Sequence, residues 1–204
     1  MLKITAINVQ EKKKDRCNIF VDGEFYVALS LEIVMNYRLK AGQEIDKKAL
    51  EEIVFEGQKS DALKLAINYV SKALKTKKQV KTYLLGKGYT EKIAWFVVDK
   101  LVEYKYIDDA EYAKRYIEGN SRTQGKRLIE YKLMMKGLKK EDVSNIYEDA
   151  DVNDKENAYN LAQKHLKNKE ITKENLAKTY RYLIGRGFSY EQASYAISKF
   201  GDND

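Results

Sequence analysis

Leu84-Leu85-Gly86-Lys87-Gly88-Tyr89, Leu133-Met134-Met135-Lys136-Gly137-Leu138 and Leu183-Ile184-Gly185-Arg186-Gly187-Phe188 carry one pattern three times: a leucine, then a basic–glycine–apolar triplet whose glycine stands four positions after the leucine. The triplets lie 49 and 50 residues apart. A glycine just past a helix end takes up the left-handed conformation that closes the helix, and the apolar residue after it folds back on the last turn. Each triplet therefore reads as a helix stop. Ile93, Val143 and Ala193 follow as early buried positions of the next helix. A single match is within chance, but three at near-equal spacing mark an internal repeat of about fifty residues, each unit holding three helices.

Work outward from the stops agrees. Leu63, Ala66, Ile67, Val70 and Leu74 form one apolar helical stripe, and Ile93, Phe96, Val97, Leu101 and Tyr104 a second. Ala158, Leu161, Ala162 and His165 form a third, and Ala193, Ala196, Ile197 and Phe200 a fourth. Thr76-Lys-Lys-Gln79, Asp108-Asp-Ala-Glu111 and Ser189-Tyr-Glu-Gln192 each place a side-chain acceptor before a helix with Glu or Gln three positions on, the pattern of a reciprocal cap. No proline interrupts any helix. A three-helix unit buries little core alone, so stacking in series predicts an elongated, curved, solenoid-like body.

The first thirty residues read differently. Lys3–Val9 alternates loosely, and Cys17–Val21 and Glu24–Leu29 flank Asp22-Gly23, a dipeptide suited to a two-residue type I′ turn. Ser30 starts a short helical stretch through Tyr37; a turn at Ala41-Gly42 and a helix from about Asp46 follow. The expected class is mostly α. It divides into an N-terminal β-hairpin extension with short helices over 1–58 and three-helix repeats over 59–107, 108–152 and 153–204.

The 204 residues allow one or two domains, and 44% hydrophobic with 34% charged residues describes a folded, strongly charged chain. Cys17 is the lone cysteine, so no internal disulfide points to secretion. The first residues lack a basic region followed by a long apolar stretch, and no run reaches membrane-spanning length. The expected location is the cytoplasm. Charge is uneven: residues 1–58 carry −1, residues 59–140 carry +11, and residues 141–204 carry −3. Eight of the sixteen tyrosines fall in the basic segment: Tyr69, Tyr83, Tyr89, Tyr104, Tyr106, Tyr112, Tyr116 and Tyr131. Such a surface attracts a polyanion, most commonly nucleic acid, although a solvated lysine-rich helical face has the same composition. Membrane insertion lacks the exposed apolar helix face it needs.

No catalytic constellation emerges, and no cofactor or metal is expected. His165, the single histidine, lies on an apolar stripe and reads as structural. Cys17 sits in a strand pattern without a neighbouring histidine and reads as a packed thiol. Gly119-Asn-Ser-Arg-Thr-Gln-Gly125-Lys126-Arg127 resembles a phosphate loop but has five residues between glycines, and Arg127 stands where a hydroxyl must bind Mg²⁺. It is better read as a helix–helix loop. Asp149-Ala-Asp151-Val-Asn153 begins like a calcium loop, yet Asp154 stands where the turn needs glycine and Asn160 where a bidentate Glu belongs. A polar linker with Asp154 as helix cap is the simpler reading. Asp108 and Asp109 likewise suit a helix start better than acid–base work.

The remaining candidate is the basic surface. Lys114, Arg115 and Arg122 fall on one expected helix; Lys126, Arg127, Lys132 and Lys136 fall on the next; Lys75, Lys77, Lys78, Lys81 and Lys87 form a matching cluster in the first repeat. Ala113, Tyr116, Ile117, Leu128, Ile129 and Leu133 must face inward, which leaves most of these charges outside, where they suit phosphate contacts without sequence reading. Most tyrosines at helical spacing are core; some are placed to stack on bases.

At these residues the chain resembles the RecX family, bacterial regulators of the recombinase RecA. The matching stretches are Ala73-Leu-Lys-Thr-Lys-Lys-Gln-Val-Lys-Thr-Tyr-Leu-Leu-Gly-Lys-Gly-Tyr89, Tyr106-Ile-Asp-Asp-Ala-Glu-Tyr-Ala113 and Gly125-Lys-Arg-Leu-Ile-Glu-Tyr-Lys-Leu-Met-Met-Lys-Gly137. Val21-Asp-Gly-Glu-Phe25 is similar to the strand-rich extension of Gram-positive members. The resemblance implies a non-enzymatic protein of tandem three-helix repeats, a monomer, lying in the groove of the RecA–DNA filament and restraining ATP hydrolysis and strand exchange. DNA, single-stranded first and double-stranded as a further candidate, would be bound weakly. The family pattern assigns no contact residues here, so the twelve basic residues rest on charge placement. The rival reading is a free-standing helix-turn-helix-like DNA-binding regulator. A nuclease lacks any clustered carboxylate–histidine or metal signature.

Overall fold

The computed structural model of the chain describes residues 1–201; residues 202–204, the end of the expected third repeat, lie outside the described residues. Two compact units divide it: residues 1–73 with 80–106, and residues 74–79 with the chain from Ile107 onward.

The first unit begins with β1 (Leu2–Val9), β2 (Arg16–Val21) and β3 (Glu24–Ser30), an antiparallel meander; β4 (Glu44–Ile45) pairs with β1 to complete the order β3-β2-β1-β4. Asp22 and Gly23 have φ of 51° and 91°, the positive pair that a type I′ turn requires. A register shift on β1 between Ile4 and Ala6 leaves Thr5 free to accept the Gly23 amide on its hydroxyl oxygen at 3.0 Å. One face of the sheet buries Ile4, Cys17, Ile19, Val21 and Leu29. The short helix α1 (Leu31–Asn36) starts on Ser30, whose hydroxyl accepts the Ile33 amide. With Ile33 and Val34 it closes one side of that core.

The long helix α2 (Lys47–Val70) starts on Asp46 and runs 24 residues without a break. Its first half lays Leu50 and Ile53 on the sheet. Gly57 makes that approach possible, since a side chain there would begin 2.9 Å from Leu29. Its second half packs on α4 (Glu91–Glu103), with the small Ala62, Ala66 and Ala94 fully buried. Between α2 and α4 comes α3 (Lys77–Leu85). Arg16 ties α2 to β3 by pairing with Asp61 at 2.6 Å while donating to the Ala28 carbonyl at 2.9 Å.

The second unit holds two three-helix sets, each with its own core. Helices α5 (Asp109–Asn120), α6 (Lys126–Met135) and α7 (Lys140–Asp149) enclose Ala113, Ile117, Ile129, Leu133, Leu138, Val143 and Tyr147. Helices α8 (Asp154–Leu166), α9 (Lys173–Gly185) and α10 (Tyr190–Ser198) enclose Ala158, Leu161, Ala162, Leu183, Phe188, Ala193 and Ala196. The expected mostly helical class, with three-helix repeats and a small N-terminal sheet, is what the chain forms. Among the described residues no helix is long and apolar enough to cross a membrane.

The three glycine stops share one geometry. Gly88, Gly137 and Gly187 have φ of 88°, 100° and 89°. In each, the amide after the glycine reaches back to the leucine carbonyl at the start of the motif: Tyr89 to Leu84, Leu138 to Leu133 and Phe188 to Leu183, all at 3.2 Å. Those leucines are fully buried. The leucine is therefore both a core side chain and the acceptor that closes its own helix.

Candidate filament and nucleic-acid interface

The N-terminal caps decide where the basic residues point. Thr76 and Gln79 exchange bonds as expected: the Gln79 amide donates to Thr76 Oγ1 at 3.2 Å, and the Thr76 amide donates to Gln79 Oε1 at 3.0 Å. The Thr76 hydroxyl then donates to the Lys136 carbonyl at 2.7 Å, and Lys78 Nζ donates to the Met135 carbonyl at 3.2 Å. These bonds bring the first turn of α3, with Lys77 and Lys78, to the C-terminal end of α6. Asp108 caps α5 through the Ala110 and Glu111 amides, and Asp109 instead accepts the Lys77 amide at 2.9 Å. Glu111 does not complete a reciprocal cap, because its carboxylate pairs with Arg115 at 2.6 Å.

Two expected positions change. Arg122 lies beyond α5, in the turn before α6, because Ser121 ends α5 in helical conformation and Gly125 caps α6. Asn153, not Asp154, caps α8 by accepting the Glu156 amide. Asp154 is the first helical residue, and its carboxylate accepts Tyr147 Oη at 2.8 Å and Gln192 Nε2 at 3.1 Å. Burial pushes the Asp154 carboxyl above the usual carboxylate range, against the pull of those two bonds. Tyr147, caught between burial and that carboxylate, is raised as well. The pseudo-calcium segment is thus a linker whose half-buried Asp154 locks α7 to α8 and α10.

Within the second unit Lys77, Lys78, Lys114, Arg115, Arg122 and Arg127 are exposed, and Lys75, Lys126, Lys132 and Lys136 are half-buried. Carboxylates cover two of them: Arg115 through Glu111, and Lys126 through Glu148 at 3.1 Å. Lys126 also lies over the Tyr147 ring. Lys132 donates to Gln124 Oε1 at 2.8 Å, and Lys136 lies over the Tyr112 and Tyr116 rings at 5.7 and 6.0 Å. Lys77, Lys114, Arg122 and Arg127 extend no side-chain bond to any described residue. In the first unit Lys81 pairs with Glu91 at 2.9 Å over the Trp95 ring, and Lys87 lies over Tyr83.

The outer face of α6 adds residues that charge counting missed. Tyr131, Met134 and Met135 are 60%, 43% and 61% exposed beside Arg127. The stretch Leu128-Ile-Glu-Tyr-Lys-Leu-Met-Met135 is too uniformly apolar for its periodicity to say which side chains face out.

The other candidates are structural. His165 stacks on Tyr182; its Nδ1 lies 2.9 Å from Thr179 Oγ1 and its Nε2 3.2 Å from Lys169 Nζ. Thr179 donates its own hydrogen to the Asn175 carbonyl, so Nδ1 carries the proton and Nε2 accepts from the lysine. Burial, then Lys169, lowers the His165 pKa. Cys17 is buried in the sheet core, and burial raises its thiol pKa. Gly119–Arg127 joins two helices and is not preceded by a strand.

Comparison with known proteins places this architecture. Residues 2–46 match the RecX regulatory protein N-terminal domain, and residues 62–101, 108–145 and 153–197 match the first, second and third RecX three-helix domains. The regulatory protein RecX of Clostridium tetani is 35% identical over 97% of this chain and 94% of its own; that of Clostridium perfringens is 31% identical over 100% and 99%. A crystal structure of a regulatory protein RecX superposes with a TM-score of 0.68 at 25% identity, covering 97% of this chain and all of that one. RecX from Lactobacillus salivarius gives 0.59 at 26% identity over 71% of this chain and 97% of its own. Sheet, repeats and glycine stops therefore converge on one assignment: this chain belongs to the RecX family of regulatory proteins.

Proposed function

We propose that this chain binds the RecA–DNA filament along its groove and modulates RecA, mainly by inhibiting ATPase and strand exchange, with weak sequence-independent DNA binding of its own. The observation that carries this is the set of exposed cations in the second unit, Lys77, Lys114, Arg122 and Arg127, extended without carboxylate partners in a member of a regulatory family. Such groups suit phosphate contacts. Tyr131, Met134 and Met135 beside Arg127 add the apolar area that a protein partner needs. The chain acts by occupancy: bound across neighbouring subunits it favours one filament geometry and slows turnover, with no chemistry of its own. The repeats over 59–107, 108–152 and 153–204 are its contact units, and the cytoplasm, where a DNA-bound recombinase works, is its place. The helix-turn-helix alternative is disfavoured at α6: the N-terminal turn that would read bases is covered by the Arg186–Phe188 turn, whose Arg186 carbonyl accepts the Gly125 amide.

The test adds the chain below stoichiometry to RecA on single-stranded DNA and follows ATP hydrolysis. Inhibition is expected, and Lys114→Glu, Arg122→Glu and Arg127→Glu together should abolish it with helicity intact. Reversing Arg115 or Lys126 is less informative, since each would face the carboxylates that now pair with it. Inhibition unchanged in the triple variant would remove the site assignment, and no effect of the wild-type chain would remove the function. Affinity for DNA alone should fall steeply with salt, less so in the variant.

A further inference from the structure

Two junctions in the second unit are built alike. At the first, Thr76 donates its hydroxyl to the Lys136 carbonyl at the close of α6, and the Lys78 stem lies against Gly137. At the second, the Gly125 amide donates to the Arg186 carbonyl at the close of α9 (2.9 Å), and Leu128 lies against Gly187. Each time, the first turn of one repeat's second helix plugs the glycine turn that ends the following repeat's second helix. The third glycine turn, Lys87-Gly88-Tyr89 at the close of α3, has the same φ and the same closing bond. Yet no described residue stands within 4 Å of where a Gly88 side chain would begin. The third plug, the start of α9 at Thr172, Lys173 and Glu174, is exposed.

We propose that these two ends meet between copies of the chain: Thr172 of one molecule docks on the Lys87–Gly88 turn of a second, repeating the internal junction head to tail. Thr76 shows how one hydroxyl serves both bonds, accepting the Gln79 amide and donating to the Lys136 carbonyl. Thr172 already accepts the Asn175 amide at 3.2 Å, and its hydrogen is left for the Lys87 carbonyl. Glu174, which pairs with Lys178 at 2.7 Å on the exposed face of its own helix, would lie beside Lys87 and share its carboxylate between the two lysines. Leu85 on the turn side and Ile171 on the plug side are 38% and 52% exposed and supply apolar area. The contact is heterologous, so copies add in an open line instead of closing as a pair. One helix turn on one glycine turn is a small interface, so the chain stays monomeric when dilute and joins where copies lie side by side on a common lattice. If the filament reading holds, that lattice is the filament; the contact itself does not depend on it.

Full-length Leu85→Cys and Ile171→Cys chains of different mass are mixed at the high protein concentration that populates a small interface, and mildly oxidised; Cys17, buried and with a raised thiol pKa, stays unreacted. The mixed disulfide should exceed its statistical share over the two self-pairs. Thr172→Asp in the Ile171→Cys chain should return the yield to statistical, because Asp still caps α9 but cannot donate to a carbonyl; Thr172→Ser should keep the excess. A statistical mixture from the original pair, or an excess that survives Thr172→Asp, overturns the proposal. RecA is absent from the assay, so this outcome and that of the ATPase test are independent.

Discussion

Gly88, Gly137 and Gly187 allow a graded experiment, because their φ values nearly coincide while their surroundings do not. Alanine in a left-handed position costs about 1–2 kcal/mol, partly offset by the entropy it removes from the unfolded chain. At Gly88 no described residue lies within 4 Å, so Gly88→Ala should cost only about 1 kcal/mol. At Gly137 the new methyl meets Lys78 Cβ, which the backbone of α3 holds in place, so the first turn of α3 must lift off the turn and the Thr76–Lys136 bond is lost; a cost of about 3 kcal/mol is expected. At Gly187 the methyl would sit 2.5 Å from Leu128 Cβ and 2.6 Å from its backbone nitrogen, so the start of α6 must lift off the turn and the Gly125–Arg186 bond is lost. Overpacking of that kind adds about 1–3 kcal/mol, for a total near 3–4. Urea unfolding followed by far-ultraviolet circular dichroism reads each cost as a midpoint shift at constant slope. The Gly88 effect should appear in the transition of the first unit and the other two in that of the second. Gly125→Ala, whose methyl would stand 2.5 Å from the Gly187 carbonyl, breaks the same junction as Gly187→Ala. The double variant should cost much less than its two parents added. Equal shifts at all three turns, or additivity in that pair, would refute the plugged-turn reasoning.

Other outcomes follow from Tyr147, Asp154 and His165. Tyr147→Phe removes a donor from Asp154 and should cost about 1–2 kcal/mol in the second unit, measured by the same unfolding. Burial raises the Asp154 carboxyl, so the folded state holds that proton more readily than the unfolded chain; its contribution to stability should therefore grow as pH falls through the folded value toward 3.8. Asp154→Asn should erase that gain, seen as a flatter acid limb in thermal melts at a series of pH values. His165 runs the opposite way. Its folded pKa is lowered, so the unfolded chain binds the proton first and stability should drop as pH falls below 6.5. His165→Gln should remove that slope, and a slope unchanged in the variant would show that another group sets it.

The repeat was legible because its signal is local. A leucine, a basic residue, a left-handed glycine and an apolar residue are bound to one another through the chain itself, so their spacing alone locates Leu84, Leu133 and Leu183 as core residues. The Asp22-Gly23 turn, with its positive φ pair, was legible for the same reason. β4 was not, because two residues hold their place only by pairing Ile45 with Leu2 and Glu44 with Lys3 across the sheet. Nor was the continuity of α2, where one helix serves the sheet with Leu50 and α4 with Ala66, and no residue marks the change. Arg122 slipped off its helix because Ser121 and Gly125 are weak punctuation compared with a glycine stop. For the basic surface, composition located the cations, but only geometry separated the partnered Arg115 and Lys126 from the unpartnered Lys114, Arg122 and Arg127.

Helix stops, caps and the order of the three repeats were determined by the chain's own sequence, since each depends on residues within a few positions of one another. Tertiary structure alone decided which charges stay free, which face of α6 is wet, and that the Thr76 and Gly125 ends plug the Gly137 and Gly187 turns. Those contacts join residues some sixty positions apart. Their energy depends on distances of a few tenths of an ångström, and that is information a linear pattern does not carry.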